Sequence, residues 1–226
     1  MTNEGGVYGT YRYLKNIMGL WLVQRLRFDF PGTPSYEELE QAAEESVSFA
    51  CVLDPDDPSF SNPPSMTKAF DAAARKFGQK APANPGAYVR TAFEALALQY
   101  RFVLEGIGRL RGRPIQQLYV LGGGTRQRFL CQLSADVCGI PIIAGPVEAT
   151  ALGNILVQGV SLGTIADLTT GRGLIRDQYR RTVYQPRPMP GLDAAWNRYL
   201  TIKGGMIKKA IRSSEDSINC PGNRDS

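Results

Sequence analysis

Three consecutive glycines, Gly122, Gly123 and Gly124, follow a short apolar run, Leu118 to Leu121, that suits a buried strand. A glycine turn at the carboxyl end of a strand offers two things. It takes up positive φ, and without a Cβ it lets a phosphate or nucleoside come close to the backbone. The run fits neither common phosphate motif: no Lys-Ser/Thr pair follows, and the spacing is not G-x-G-x-x-G. By itself it is equally an ordinary tight strand-to-helix turn. Two charged groups also invite chemistry. Asp54, Asp56 and Asp57 sit in a loop with four prolines and could gather a cation, although the prolines hold that loop in extended turns. Arg172, Arg176, Arg180 and Arg181 either touch phosphate or decorate a solvated connection.

What is missing excludes more. The chain has no histidine, which removes Ser-His-Asp and Cys-His catalysis and every histidine-bearing zinc site. Cys51, Cys131, Cys138 and Cys220 form no C-x-x-C pair. Cys131 and Cys138 stand two turns apart on one expected helix, roughly 10 Å at 1.5 Å rise per residue, too far for a disulfide. Free thiols are the expectation. Hydrophobic residues make up 43% of the chain, which fits a packed core, and no apolar run reaches membrane-spanning length. The first twenty residues mix Glu, Arg and Lys with apolar positions, so no leader and a cytoplasmic location are expected. A net charge of +5, spread along the chain, suits ATP as well as any polyanion, and nucleic-acid binding is not expected.

The residues around the glycine turn extend the pattern. Gln132, Ala135, Asp136 and Gly139 follow it. A second segment reads Ala144-Gly-Pro-Val-Glu-Ala-Thr-Ala-Leu-Gly-Asn154, and an N-terminal block holds Thr2-Asn-Glu-Gly-Gly6 and Tyr11 to Trp21. From about residue 2 to residue 190 the chain resembles the C-terminal half of the FGGY carbohydrate kinases, in particular members acting on L-rhamnulose-type ketoses. The resemblance implies an α/β fold of ribonuclease H-like, actin-like ATPase type, with ATP and Mg2+ held mainly by the C-terminal domain and the sugar mainly by the N-terminal one. It implies that Gly123, supported by Gly122 and Gly124, lies against the nucleotide. It further implies that Asn16 faces the sugar and that Gln24 contacts ATP. Gln127 departs from the asparagine common in the family at that place. Members of the family are longer, and the catalytic aspartate belongs to segments this chain does not contain. No catalytic residue is therefore assigned. The expected partners are ATP, the ketose and the missing N-terminal kinase half. The alternative is a non-catalytic truncated remnant or assembly module.

These residues need elements to position them. The order strand, glycine turn, helix, strand (Ile140 to Ala144), Gly145-Pro146 and helix from about Glu148 predicts a parallel layer, with ligands at the strands' carboxyl ends. Leu14, Ile17, Met18, Trp21, Leu22 and Leu26 recur at spacings of three and four, predicting one helix from Thr10 to Phe28 that carries both Asn16 and Gln24. Ser35 with Glu38 predicts a capping box. Phe49 to Leu53 reads as a strand or an extended edge. Ser65 predicts the start of a helix to Phe77, and Asn84-Pro85-Gly86 the start of the longest one, to about Leu110, packed across a sheet. On that helix Val89, Phe93, Leu96, Ala97, Tyr100, Val103, Leu104 and Ile107 form the apolar stripe, opposite Arg90, Glu94, Arg101 and Glu105. Residues 167 to 177 read as a connection and 193 to 211 as the last helix, before a disordered tail over 212–226. Only two strands stand out, few for so many helices, which fits a truncated sheet.

Overall fold

Four of the eight α-helices among the described residues of this protein begin where a short polar side chain satisfies an orphan N–H group of the first turn. The structure, a computed structural model, describes residues 2–179 and 181–218, with side chains through residue 205. A hairpin of β1 (Thr2–Gly5) and β2 (Tyr11–Leu14) leads to α1 (Trp21–Asp29), then α2 (Tyr36–Glu44), α3 (Met66–Lys76) and α4 (Pro85–Arg111). There follow β3 (Leu118–Val120), α5 (Arg128–Cys138), β4 (Ile142–Ala144), α6 (Ala149–Ser161), α7 (Leu168–Gln178), β5 (Thr182–Tyr184) and α8 (Leu192–Ile218). The predicted capping box is formed: Ser35 Oγ accepts from Glu38 N–H, and the Glu38 carboxylate accepts from Ser35 N–H. Ser65 and Asn84 cap α3 and α4 without the reciprocal bond, accepting from Lys68 N–H and Ala87 N–H, and Gly112, at φ 66°, closes α4. The segment expected as a connection after Asp167 is instead α7, because Asp167 accepts from Thr170 N–H and opens a helix.

The sheet is small. β3 and β4 pair in parallel with Leu118 opposite Ile142, as the strand-helix-strand order required, and β4 is buried throughout. β5 adds an antiparallel third strand on the other side of β4, with Tyr184 opposite Ile142. Neither this strand nor the hairpin follows from the apolar pattern of the sequence. The predicted helix over Thr10 to Phe28 therefore starts only at Trp21. Its first residues are β2, paired with Thr2 to Gly5, and an irregular link. Phe49 to Leu53 is no strand either, but an irregular segment buried along its length except at Ala50.

The core is mostly helical. α4 lies between α2 and α5 rather than across the sheet, and Val89, Phe93 and Leu96 are fully enclosed with Leu22, Leu26, Phe60, Phe70 and Tyr199. Enclosure from both sides has a consequence for Arg90 and Glu94, which were expected to lie opposite the packed stripe. Both are buried and paired at 2.8 Å. Arg90 also donates to the carbonyls of Ala43 and Glu44 and to Ser48, closing the end of α2. Glu94 accepts from Phe49 N–H, so it holds in place a residue at the unusual φ of 53°. Burial pushes the Glu94 carboxyl up to about 6, against the pull of Arg90 and of the Phe49 N–H. The backbone of α8 stays helical through Ile218, so the expected tail begins within that helix. Residues 219–226, with Cys220, lie outside the described residues. No helix among the described residues is long and apolar enough to cross a membrane.

Candidate functional site

The three glycines form a single 3-10 turn, Gly122 to Arg126, between β3 and α5. Gly122 has φ 77°, where a Cβ is strained, and its N–H donates to Pro146 O at 3.0 Å. Gly145 N–H donates to Val120 O at 2.9 Å. The two connections at the carboxyl end of the sheet are thereby pinned side by side. A Cβ at Gly145 would stand 2.5 Å from Leu121 Cδ2, the end of an exposed side chain that can turn aside, and 3.7 Å from Val120 O, an ordinary contact. Gly123 differs from both. It is exposed, its φ is ordinary, and a Cβ built on it meets nothing within 4 Å. The space above it is open, which is the geometry a ligand needs to reach the backbone. Thr125 Oγ1 donates to Gly122 O, and Gln127 N–H to Gly124 O, so the turn is braced from within.

α5 follows the turn directly, and one N–H of its first turn is taken by a carboxylate. Gln127 supplies no side-chain cap. Glu40 of α2 does so from across the core, its carboxylate accepting Phe129 N–H at 2.6 Å. Partial burial pushes the Glu40 carboxyl up, the Phe129 N–H working against it. Nothing in the local sequence of α2 singled out Glu40, because its partner is 89 residues away.

The other expected site residues are placed differently. Asn16 and Gln24 do not share a helix. Asn16 is exposed on the link Lys15 to Leu20, ahead of α1, and Gln24 is exposed on the first turn of α1. No hydrogen bond among the described residues ties either side chain to the glycine turn. The three aspartates are partners of lysines: Asp54 of Lys203 at 2.7 Å, Asp56 of Lys15 at 3.4 Å and Asp57 of Lys76 at 3.2 Å. Among the described residues no group of three metal-ligating side chains gathers anywhere. Arg172 and Arg176 lie exposed on α7 and Arg181 just before β5, while Arg180 falls outside the described residues. Burial pushes the Cys51 and Cys131 thiols up to about 11 and Cys138 to about 12, which leaves them unreactive thiols, free as expected.

Known proteins share both the sequence and the shape. Residues 1–162 match the FGGY family of carbohydrate kinases, C-terminal domain. A rhamnulokinase of Bacteroides thetaiotaomicron is 45% identical over 195 residues, covering 86% of this chain and 40% of that protein. One from Pectobacterium carotovorum is 45% identical over 199 residues, 88% of this chain and 40% of its own. The chain thus spans about two-fifths of the length of these relatives. Among solved structures, a xylulose kinase from Rhodospirillum rubrum superposes with a TM-score of 0.60 at 18% identity, over 83% of this chain and 38% of that one. Plasmodium falciparum glycerol kinase with ADP does so with a TM-score of 0.55 at 17% identity, over 84% and 35%. These likenesses bear out the kinase-domain fold expected from the motifs around Gly122 to Asn154. With its turn, its parallel strand pair and most of its length accounted for in this way, the chain belongs to the FGGY family of carbohydrate kinases, through that family's C-terminal domain.

Proposed function

We propose that this chain is the ATP-binding half of a sugar kinase that transfers the γ-phosphoryl group of ATP to L-rhamnulose, giving L-rhamnulose 1-phosphate, in rhamnose catabolism in the cytoplasm. The observation that carries the reading is the open backbone at Gly123, at the carboxyl end of the parallel strands of a chain 45% identical to rhamnulokinases. Phosphoryl transfer is chiefly positioning and charge stabilisation, so a rigid, backbone-lined phosphate or nucleoside rest is a working part of such an enzyme. In this reading Gly122, Gly123 and Gly124 receive the nucleotide, Gln24 contacts it, and Asn16 faces the ketose. Mg2+ would accompany the ATP and would neutralise charge on its phosphates. The base that accepts the sugar's hydroxyl proton is supplied by an N-terminal kinase half.

Titration calorimetry of the purified chain with Mg-ATP tests this directly. The expected result is saturable one-site binding that Gly123→Val removes. Unchanged affinity in the variant would overturn the placement at the turn. A sample folded by circular dichroism that binds no Mg-ATP would favour a non-catalytic assembly module.

A further inference from the structure

The acidic loop after Leu53 is buried at one end, and the reading above makes no use of it. Asp56 is its centre. One carboxylate oxygen accepts Met18 N–H at 3.2 Å, and the other lies 3.4 Å from Lys15 Nζ. Lys15 and Met18 bracket Asn16. Ile17 and Met18 also pack against the main core, so Asn16 is an exposed residue between anchored neighbours.

Asp56 is itself held from beneath. Gln99 Nε2 of α4 donates to it at 2.6 Å, and Gln99, fully buried, accepts in turn from the Tyr199 hydroxyl of α8. Lys203, one turn further along α8, lies 2.7 Å from Asp54 and 3.7 Å from Asp56. Asp54 also accepts Asp56 N–H at 3.1 Å. Both anionic groups therefore have a buried cation and fixed hydrogen bonds, so the cluster is satisfied without a metal. The Gln99 amide, on the same carboxylate oxygen as Lys15, fixes which way the carboxylate faces and leaves the other oxygen to Met18 N–H.

We infer that Asp56 is a positioning residue: its carboxylate, aimed by Gln99, Tyr199 and Lys203, fixes the Lys15 to Leu20 link and so presents Asn16 to the sugar. The reading of Asn16 as a sugar contact is the one proposed above, and the inference about the link rests on geometry that does not depend on it. An irregular segment with few backbone hydrogen bonds owes its order to such side-chain anchors, and freeing it exacts an ordering cost from any ligand that uses it. In Asp56→Asn the single remaining carbonyl oxygen cannot serve Met18 and Gln99 together, and Lys15 loses its counter-charge.

Amide hydrogen exchange on the 226-residue chain is the test, with titration of L-rhamnulose alongside. Asp56→Asn is expected to speed exchange at Met18 about tenfold while Leu96, deep in α4, stays unchanged. A purely structural role would speed both together and would overturn the inference, as would an unchanged Met18. Asn16→Ala is expected to leave exchange at Met18 unchanged and to lose the ketose. If it keeps the ketose, the sugar reading fails while the exchange result for Asp56 still stands. Should Asp56→Asn not fold, Lys15→Met touches only the partly exposed side of the cluster. Faster exchange at Met18 is expected there too, and an unchanged rate would overturn the inference.

Discussion

Gly122 and Gly123 are neighbours with different reasons to be glycine, and the difference can be measured. At Gly122 the backbone needs φ 77°, so Gly122→Val should cost about 2 kcal/mol of stability in urea unfolding whether or not nucleotide binds. At Gly123 the backbone conformation is ordinary and a Cβ meets nothing, so Gly123→Val should leave the unfolding midpoint unchanged while abolishing Mg-ATP binding. A stability loss at Gly123 equal to that at Gly122 would show the turn to be structural only. Glu94 makes a contrasting case. Its carboxylate pairs with buried Arg90 and grips the Phe49 N–H, so Glu94→Gln leaves a buried guanidinium short of its counter-charge. The expected loss is about 3 kcal/mol in the same measurement. The sequence placed Glu94 opposite the packed stripe by helical spacing alone. Spacing reports which residues share a face, not whether a second element covers the opposite face.

At the scale of elements, carboxylates from distant segments add to helix starts, to one that has its own cap (α3) and to one that has none (α5). Asp29, at the end of α1, accepts from Thr67 N–H and from the hydroxyls of Ser65 and Thr67 at the start of α3. Partial burial raises its pKa, but these hydrogen bonds outweigh it and hold the carboxyl below the usual 3.8. A carboxyl with a depressed folded-state pKa contributes stability above its unfolded value and loses it as pH falls through the folded one. Asp29→Asn should therefore flatten the acid limb of the melting temperature below about pH 4, and an identical acid limb in both proteins would discount the cap. Glu40 serves α5 in the same manner, and Glu40→Ala should cost about 1 kcal/mol in urea unfolding, the ordinary worth of an N-cap. Where the capping residue is local, as with Ser35, Ser65 and Asn84, the helix start could be read from the chain. Where it is Asp29 or Glu40, it could not.

Over the whole molecule, order is unevenly distributed. α2, α4 and α5 with the segment Phe49 to Leu53 form a closed core, whereas the β1–β2 hairpin has three of four residues exposed on each strand, Tyr11 at 81% among them. A two-stranded hairpin without a packed face is marginal in water. Its amides should exchange in hydrogen-exchange experiments far faster than those of α4, and protection equal to α4 would show that it is held by more than its own pairing. The hairpin also departs furthest from the apolar spacing of its own residues. Leu14, Ile17, Met18 and Trp21 fall at helical spacing, yet Leu14 pairs with Thr2, a register that depends on a turn at Val7 to Gly9 and not on apolar periodicity. Because of it, Asn16 left the helix that was to carry it beside Gln24. By itself the sequence determined what is local: the capped helices, the glycine turn, the parallel order of β3 and β4, and the family signature between Gly122 and Asn154. Tertiary structure decided what depends on distant partners, namely β5 beside β4, the burial of Arg90 and Glu94, the Glu40 cap on α5 and the Asp56 cluster around Lys203. Backbone propensity and capping act over three or four residues, whereas burial and ion pairing are settled only when segments far apart in the chain meet.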